Sequence, residues 1–409
     1  MKRRTFLAVS AAGAGALARA QQPSSAVPAA IRALAPMTDG VHPITAGERR
    51  ARIEKAQSLM PEQKIGAVFM ESGSNMFYFT GTRALSGLLI PAKGEIAWIV
   101  PAAQEQQVAQ SQVGGKVVTY AESDGPFGAL KQALKDYGVS TGKIGLEEQV
   151  RFSFFDGMRK EIPSVESVNA TPVTAGCRVI KSAAEIALMQ HAADVTIEAY
   201  RAGLATLREG MPPRELSANI GAAYTALGFR GEVSVSFGKN TAFPHGSTVA
   251  QTLREGDMIL LDDGCAVDGY QSDITRAVVF GKPSARQRQI WNLERKAQDA
   301  AFAAARVGAT CESVDFAARK VITDAGLGPG YKLPGLPHRT GHGLGLDIHE
   351  WTYMVKGNKT PLAPGMCFSD EPMIVDREFG VRLEDCIYMT GNGARFFSKQ
   401  SPAIDQPFG

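Results

Sequence analysis

The chain lacks the cysteine arrangement of a disulfide-held scaffold. Cys177, Cys265, Cys311, Cys367 and Cys386 form an odd set at irregular spacing, which excludes a paired framework and leaves them as small buried filler. No low-complexity segment interrupts the first half. A basic surplus is missing as well: the formal charge is only +3, and four of the cations, Lys2, Arg3, Arg4 and Arg19, precede position 21. Without them the charge is −1, which excludes nucleic acid as a natural partner.

Those early cations have their own meaning. Lys2-Arg3-Arg4-Thr5-Phe6-Leu7 has the twin-arginine form, a short apolar stretch follows, and Ala18-Arg19-Ala20 suits cleavage before Gln21. The apolar run is too short for a bilayer span of about 20 residues, and no cysteine stands near the cleavage point to carry lipid. We expect residues 1–20 to be a signal peptide, the product to be exported after folding to the periplasm or beyond, and no membrane association. Residues 21–40 are expected to be a linker, 41–174 a smaller α/β domain, and 175–409 a second, larger domain.

What the sequence does have is acid where a core wants apolar side chains. Met258-Ile259-Leu260-Leu261-Asp262 is an apolar run ending in acid, Asp268-Gly269 is a strong hairpin signal, and Tyr270 to Phe280 returns as a second strand. If the turn is Asp268-Gly269, Val267 faces Tyr270 and Asp262 stands opposite Thr275. Strand alternation then places Asp273 on the face of Thr275, diagonal to Asp262, at about 7 Å between backbones. A second hairpin repeats the device: Gly365 to Glu371 enters, Gly380 to Tyr388 leaves, and Glu371 and Glu384 supply one acid per arm. Leu253-x-x-Gly256 precedes Asp262 as Leu362-x-x-Gly365 precedes Glu371, so the halves read as an internal duplication.

The segments before each hairpin agree. Ser182-Ala183-Ala184-Glu185 is a capping box opening a long helix, and a shorter helix runs from about Arg214 to Leu227. The second half has helices at roughly Ser284 to Arg306 and Cys311 to Ala325. Four of the six histidines, His245, His338, His342 and His349, fall in just two loops beside the acidic hairpins. Carboxylates crowded on one buried surface are costly unless cations neutralise them, so Asp262, Asp273, His342, Glu371 and Glu384 read as ligands of a two-metal site. Four oxygen-bearing ligands against one nitrogen favour Mn²⁺, with Co²⁺, Zn²⁺ or Fe²⁺ as alternatives.

These motifs in this order, Asp262-x-Gly264, Ser272-Asp273-Ile274-Thr275-Arg276, Thr340-Gly341-His342-Gly343 through His349-Glu350, Glu371-Pro372 and Val381-Arg382-Leu383-Glu384-Asp385, resemble the catalytic half of the aminopeptidase P, prolidase and creatinase family. Ala67 to Met70 and Tyr78-Phe79-Thr80-Gly81 resemble its N-terminal domain more weakly. The resemblance implies an α+β pita-bread catalytic domain with a pseudo-twofold repeat, preceded by a smaller creatinase-like α/β domain that caps the site and joins a homodimer. It implies Asp262 on one ion, His342 and Glu371 on the other, and Asp273 and Glu384 bridging both. It further implies a metal-bridging hydroxide, with Glu371 taking the water's proton and His245 and His349 stabilising the oxyanion or passing a proton to the leaving amine. His338 and Arg382 would hold substrate, although Arg382 on the strand face of Glu384 could instead neutralise the acids.

The implied reaction is cleavage of the Xaa-Pro amide bond in dipeptides or at the N-terminus of small peptides with proline second. The alternative is a hydrolase or lyase of the same fold acting on a small amide, amidine or osmolyte. Asp263, Met373 and Val375 depart from the family pattern, and all three bear on the substrate pocket rather than on the ligand set.

Overall fold

The computed structural model of the protein describes residues 27–244 and 246–409. The expected signal peptide and His245 lie outside the described residues. No helix among the described residues is long and apolar enough to cross a membrane.

The first half is built on a six-stranded mixed sheet in the order Lys116–Tyr120, Ala97–Pro101, Leu88–Pro91, Ile65–Met70, Gly142–Leu146, Val165–Asn169. The strands Ile65–Met70, Leu88–Pro91 and Ala97–Pro101 are near-continuous apolar runs because both faces are covered: Val68, Met70, Ile90 and Trp98 pack on one side, Phe69, Leu89, Ile99 and Leu146 on the other. The helix Ala46–Gln63 leads into it. Thr45 and Glu48 form a reciprocal capping box at its start, and Lys64 at φ 56° turns the chain into the first strand.

The expected linker is partly structured. Pro28 precedes a helical turn, Ala29–Arg32, whose Ile31 is buried, and Met37 N–H donates to Leu227 O at 2.9 Å. Ile31, Leu34 and Met37, three residues apart, place an apolar stripe against the second half.

In the second half two helix pairs, Ala183–Leu204 with Pro213–Ala226 and Ala285–Ala304 with Cys311–Asp324, cover the outside of curved sheets. Ser182 and Glu185 form the capping box read from the sequence, and Ser284 with Gln287 repeats it in the other half. The helix Ala285–Ala304 is fastened to its sheet by Trp291, which is buried and donates Nε1–H to Ala277 O at 3.0 Å.

The hairpin register is the one expected. Tyr270 pairs with Val267 and Arg276 with Leu261, which sets Asp262 opposite Thr275. Asp268 and Gly269 have φ of 47° and 84°, the two positive values that a type I′ turn demands. In the other hairpin Asp370 pairs with Asp385 and Met373 with Arg382, which sets Glu371 opposite Glu384. The hairpins meet where Thr275 and Glu384 exchange backbone hydrogen bonds of 3.3 and 3.2 Å. The duplication thus becomes a local twofold: Asp262 corresponds to Glu371, Thr275 to Glu384 and Asp273 to Arg382. Gly256 and Gly365 open the two repeats at φ 85° and 89°, where a Cβ would be strained.

One buried ion cluster ties the loop before His349 to the first half. Arg178, at the end of the helix Thr171–Arg178, pairs with Glu350 and with Asp347 at 2.7 Å, and Lys181 Nζ reaches Glu350 at 3.0 Å. Burial alone would raise Glu350, but Lys181 and Arg178 outweigh it and hold the carboxyl at about 2. A carboxyl depressed in the folded state contributes stability above its unfolded pKa of about 4.3 and loses it as pH falls through the folded value. Unfolding free energy should therefore drop by about 3 kcal/mol between about pH 4.3 and 2 on account of this group. Glu350→Gln should be less stable at pH 7 and flatter across that window in urea titrations, and an unchanged slope would contradict the pairing.

Candidate metal centre

Four short strand ends deliver the acids to one place. Asp262 ends the strand Met258–Asp262, Glu371 follows the strand Cys367–Asp370, and Glu384 lies between the strands Gly380–Arg382 and Asp385–Thr390. Asp273 sits in the return arm, before the strand Arg276–Val279. His342 is the middle residue of the strand Gly341–Gly343, and the space beside it admits no larger neighbour: a Cβ on Gly341 would lie 2.1 Å from Ser369 O. All five line a cleft of about 570 Å³, together with His338, Arg339, His349 and Arg382.

Asp273, His342 and Glu384 are buried, and each offers a ligand atom within 4.8 Å of the others. Glu371 joins them through Oε1, 3.1 Å from His342 Nε2, which also lies 3.5 Å from Asp273 Oδ2. Asp262 is connected through Thr275, whose Oγ1 is 2.8 Å from Asp262 Oδ1 and 2.6 Å from Glu384 Oε2. The sequence set is therefore assembled in one cleft, and His349 with it. The His349 ring is exposed and meets His342 edge to face at 4.3 Å. His245 is outside the described residues, and its neighbours Phe243, Pro244 and Gly246 line the cleft.

The electrostatics of this cluster fit cations. Burial, then Asp262, push Asp273 well above the usual carboxylate range, and burial, then Asp273 and Glu371, do the same to Glu384. Glu371 goes the other way: burial would raise it, but His342 and then His338 and Arg382 bring it well below. Burial works against charge on His342, yet Glu371 and Asp273 raise it. Burial and mutual repulsion therefore disfavour charge on Asp273 and Glu384, a penalty that bound cations would offset. Glu384 Oε1 is buried without a hydrogen-bond partner among the described residues, an orphaned acceptor that a native core rarely tolerates. His342 Nδ1 lies 3.1 Å from Gly343 O, which fixes the proton there and turns the Nε2 lone pair toward the acids. Hard oxygen donors around one neutral imidazole nitrogen form a site that divalent ions would satisfy.

Arg382 belongs to the cluster rather than to open space. It pairs with Asp262, donates Nε–H to Thr275 Oγ1 at 3.0 Å and lies 3.8 Å from Glu371. His338 is placed by the second helix pair: Asp315 takes Thr340 N–H at 3.1 Å and Oγ1–H at 2.8 Å, while Arg319 donates to Leu336 O at 3.1 Å and also to His338 O. Burial lowers His338, so the ring is neutral near pH 7. Its Nδ1 faces Arg339 O at 2.7 Å, and its Nε2 is buried without a partner among the described residues. Asp263 adopts φ 107° and accepts Ser234 N–H and Oγ–H at 3.0 and 2.8 Å. Met373 also lines the cleft, while Val375 is buried in the core.

Sequence reasoning missed Asp315 and Arg319, which read as ordinary polar positions of an amphipathic helix. It also passed over Arg339 and gave Thr275 and Arg276 no role, although Ser272 to Arg276 was one of the motifs.

Comparison with known proteins supports the same picture. The model of metallopeptidase family M24 matches residues 187–391, and that of the creatinase/prolidase N-terminal domain matches residues 52–180. The chain is 30% identical to an Xaa-Pro dipeptidase of Pyrococcus furiosus over 86% of this chain and 98% of that one. Among solved structures it resembles a dipeptidase of Pyrococcus horikoshii (31% identity, TM-score 0.78, 87% of this chain and 99% of that one). It also resembles dipeptidase PepE of Mycobacterium ulcerans (28% identity, TM-score 0.82, 90% and 100%).

Proposed function

Because the chain belongs to metallopeptidase family M24 and carries a creatinase/prolidase N-terminal domain, we propose that it is a dinuclear metal-dependent exopeptidase that hydrolyses the amide bond before proline. The observation that carries this reading is the convergence of Asp273, His342 and Glu384 within 4.8 Å, with a buried carboxylate oxygen left unmet among the described residues. Asp262, Asp273, His342, Glu371 and Glu384, which line one cleft, would hold the ions. Bound divalent ions supply Lewis acidity toward a carbonyl oxygen and hydroxide near neutral pH.

The chain's own groups do the rest. Glu371, held deprotonated beside His342, is the proton acceptor in the cleft. His349, exposed at the cleft and set against His342, donates toward the developing oxyanion. His245 stands in the sequence between Pro244 and Gly246, which line the cleft, and we assign it proton delivery to the leaving amine. Arg382 neutralises Asp262 and keeps it turned toward the centre. Both the P. furiosus and P. horikoshii relatives are named for dipeptide or Xaa-Pro cleavage, and nothing in the cleft favours a small osmolyte instead.

Mn²⁺ as the working metal and export through the twin-arginine signal rest on the sequence, and a homodimer rests on the family resemblance alone. The test is an assay of residues 21–409 with Mn²⁺ on Xaa-Pro and Xaa-Ala dipeptides of the same Xaa. Xaa-Pro should be cut in preference, EDTA should abolish the activity, and Mn²⁺ should restore it. Hydrolysis that survives chelation, or no Xaa-Pro cleavage with any of Mn²⁺, Co²⁺, Zn²⁺ or Fe²⁺, would contradict it.

A further inference from the structure

The cleft holds one acid that the metal centre does not use. Asp263 follows Asp262 directly, and strand alternation should turn it to the opposite face, yet both line the cleft. The backbone makes the difference. Asp263 adopts φ 107°, a region costly for a residue with a Cβ. Two hydrogen bonds to its carbonyl oxygen hold it there, from Tyr200 O–H at 3.0 Å and from Ile274 N–H at 3.1 Å. A strained and pinned backbone that swings a carboxylate into the cleft points to a use for that carboxylate.

Asp263 is half-buried, and its partners are neutral. Ser234 N–H and Oγ–H both go to Oδ2. Oδ1 accepts no hydrogen bond among the described residues and keeps its access to solvent. Arg382, whose charge reaches Asp263, is already paired with Asp262. The carboxylate is therefore a fixed negative charge with one oxygen open to a cation.

Its place in the sheet says which cation. The strands run in the order Arg276–Val279, Met258–Asp262, Ser234–Phe237, and Thr275 meets Glu384 on the side of the first. Ser234 pairs with Asp262 from the other side. Asp263, fastened to Ser234, thus lies on the flank of Asp262 turned away from Glu384. Neighbouring strands are about 4.8 Å apart, which puts this charge a strand's width outside the acid cluster. The α-ammonium of an Xaa-Pro substrate is one carbon from the scissile carbonyl and stays with the centre. Proline brings an apolar ring and then a carboxylate or an amide, neither of which matches an unpaired acid. A basic Xaa side chain is the remaining group, and the flexible stem of lysine or arginine extends outward to reach it.

We infer that Asp263 binds the side-chain cation of Xaa, so that the enzyme prefers lysine or arginine in the first position. The inference rests on the Xaa-Pro reading above and adds to it the chemistry of Xaa. Ser234 steadies the carboxylate through Oδ2 and leaves Oδ1 to the substrate.

The experiment compares Lys-Pro with norleucyl-proline, which keeps the stem and drops the ammonium, and Glu-Pro with Gln-Pro. Wild type, Asp263→Asn and Asp263→Gly are assayed with Mn²⁺ at pH 8, where the lysine side chain is charged. Asparagine tolerates the positive φ and glycine favours it, so both variants keep the turn. Wild type should prefer Lys-Pro to norleucyl-proline by about tenfold in kcat/KM, the scale of a hydrogen bond to a charged group, mainly through KM. It should disfavour Glu-Pro against Gln-Pro. Both ratios should shrink toward one in each variant. An effect passed through Asp262 to the metal falls on all four substrates alike and cancels in the ratios. Losses equal on Lys-Pro and norleucyl-proline, or no loss on Lys-Pro, overturn the assignment. A wild type indifferent to the ammonium overturns it and leaves the Xaa-Pro reading intact, and a wild type that cuts none of the four overturns both.

Discussion

Asp273→Ala and Glu384→Ala should each remove turnover and most of the bound metal. Both side chains are buried in the group that shares ligand atoms with His342. Loss of a partner one shell out already costs about 10- to 100-fold in metal affinity, and loss of a bridging ligand must exceed that. The neutral isosteres Asp273→Asn and Glu384→Gln sharpen the test because they keep volume and remove only charge.

In the ion-free protein Glu384 is raised by burial and by Asp273 and Glu371. A raised carboxyl contributes stability below its unfolded pKa and loses it as pH climbs through the folded value. Glu384→Gln should therefore raise Tm in EDTA at pH 7 and above, while lowering the further gain in Tm that Mn²⁺ gives wild type. Opposite signs in the two conditions are what a site built for cations requires. Normal turnover by either alanine variant would refute the bridging roles.

The second large effect is structural. Arg276 and Asp385 are almost fully buried, 0% and 1% exposed at the side chain, and meet at 2.8 Å. Arg276 also donates to Thr275 O at 3.0 Å, Glu384 O at 2.9 Å and Lys399 O at 2.9 Å, so one guanidinium clamps the junction of the two hairpins. Arg276→Met leaves Asp385 as a buried charge whose other partners are Gln298 and Ser398. We expect a loss of about 3–5 kcal/mol in urea unfolding of the metal-free protein. Arg276→Met with Asp385→Leu should recover much of it, because the cost lies in the stranded acid rather than in the lost attraction. A single variant within about 0.5 kcal/mol of wild type, the usual range of a neutral surface change, would show that the junction does not depend on this pair.

The parts of the fold legible in the sequence are those with local causes. Asp268-Gly269 dictates its turn, the turn fixes the register, and the register alone sets Asp262 opposite Thr275 and Asp273 beside it. The matching spacing of Gly256 and Gly365 to their acids predicts the second hairpin from the first. Elements without such signals were missed. The helix Ser74–Thr80 has no side-chain cap and is buried nearly all round, so it shows no amphipathic period. The strand Val165–Asn169 has only two apolar residues and shows no clear alternation. The segment after the strand Ala97–Pro101 forms only a 3₁₀ turn, Ala102–Gln104, and one α turn, Glu105–Val108, because only Val108 has a core to face.

The site divides in the same way. Its acids announce themselves by standing in apolar runs, and His342 by its glycines. The Thr275–Glu384 bridge that joins the hairpins spans more than a hundred residues, and so does the hydrogen bond from Arg382 to Thr275. Neither pairing has a local signature, so neither could be read before the fold was known.

The most direct measurement is the divalent metal content of active protein by elemental analysis, before and after dialysis against a chelator, with turnover followed in parallel. Two ions per chain, activity lost as they leave and regained as they return, is the expected result. Full activity from protein that contains no divalent metal would contradict the account at its root.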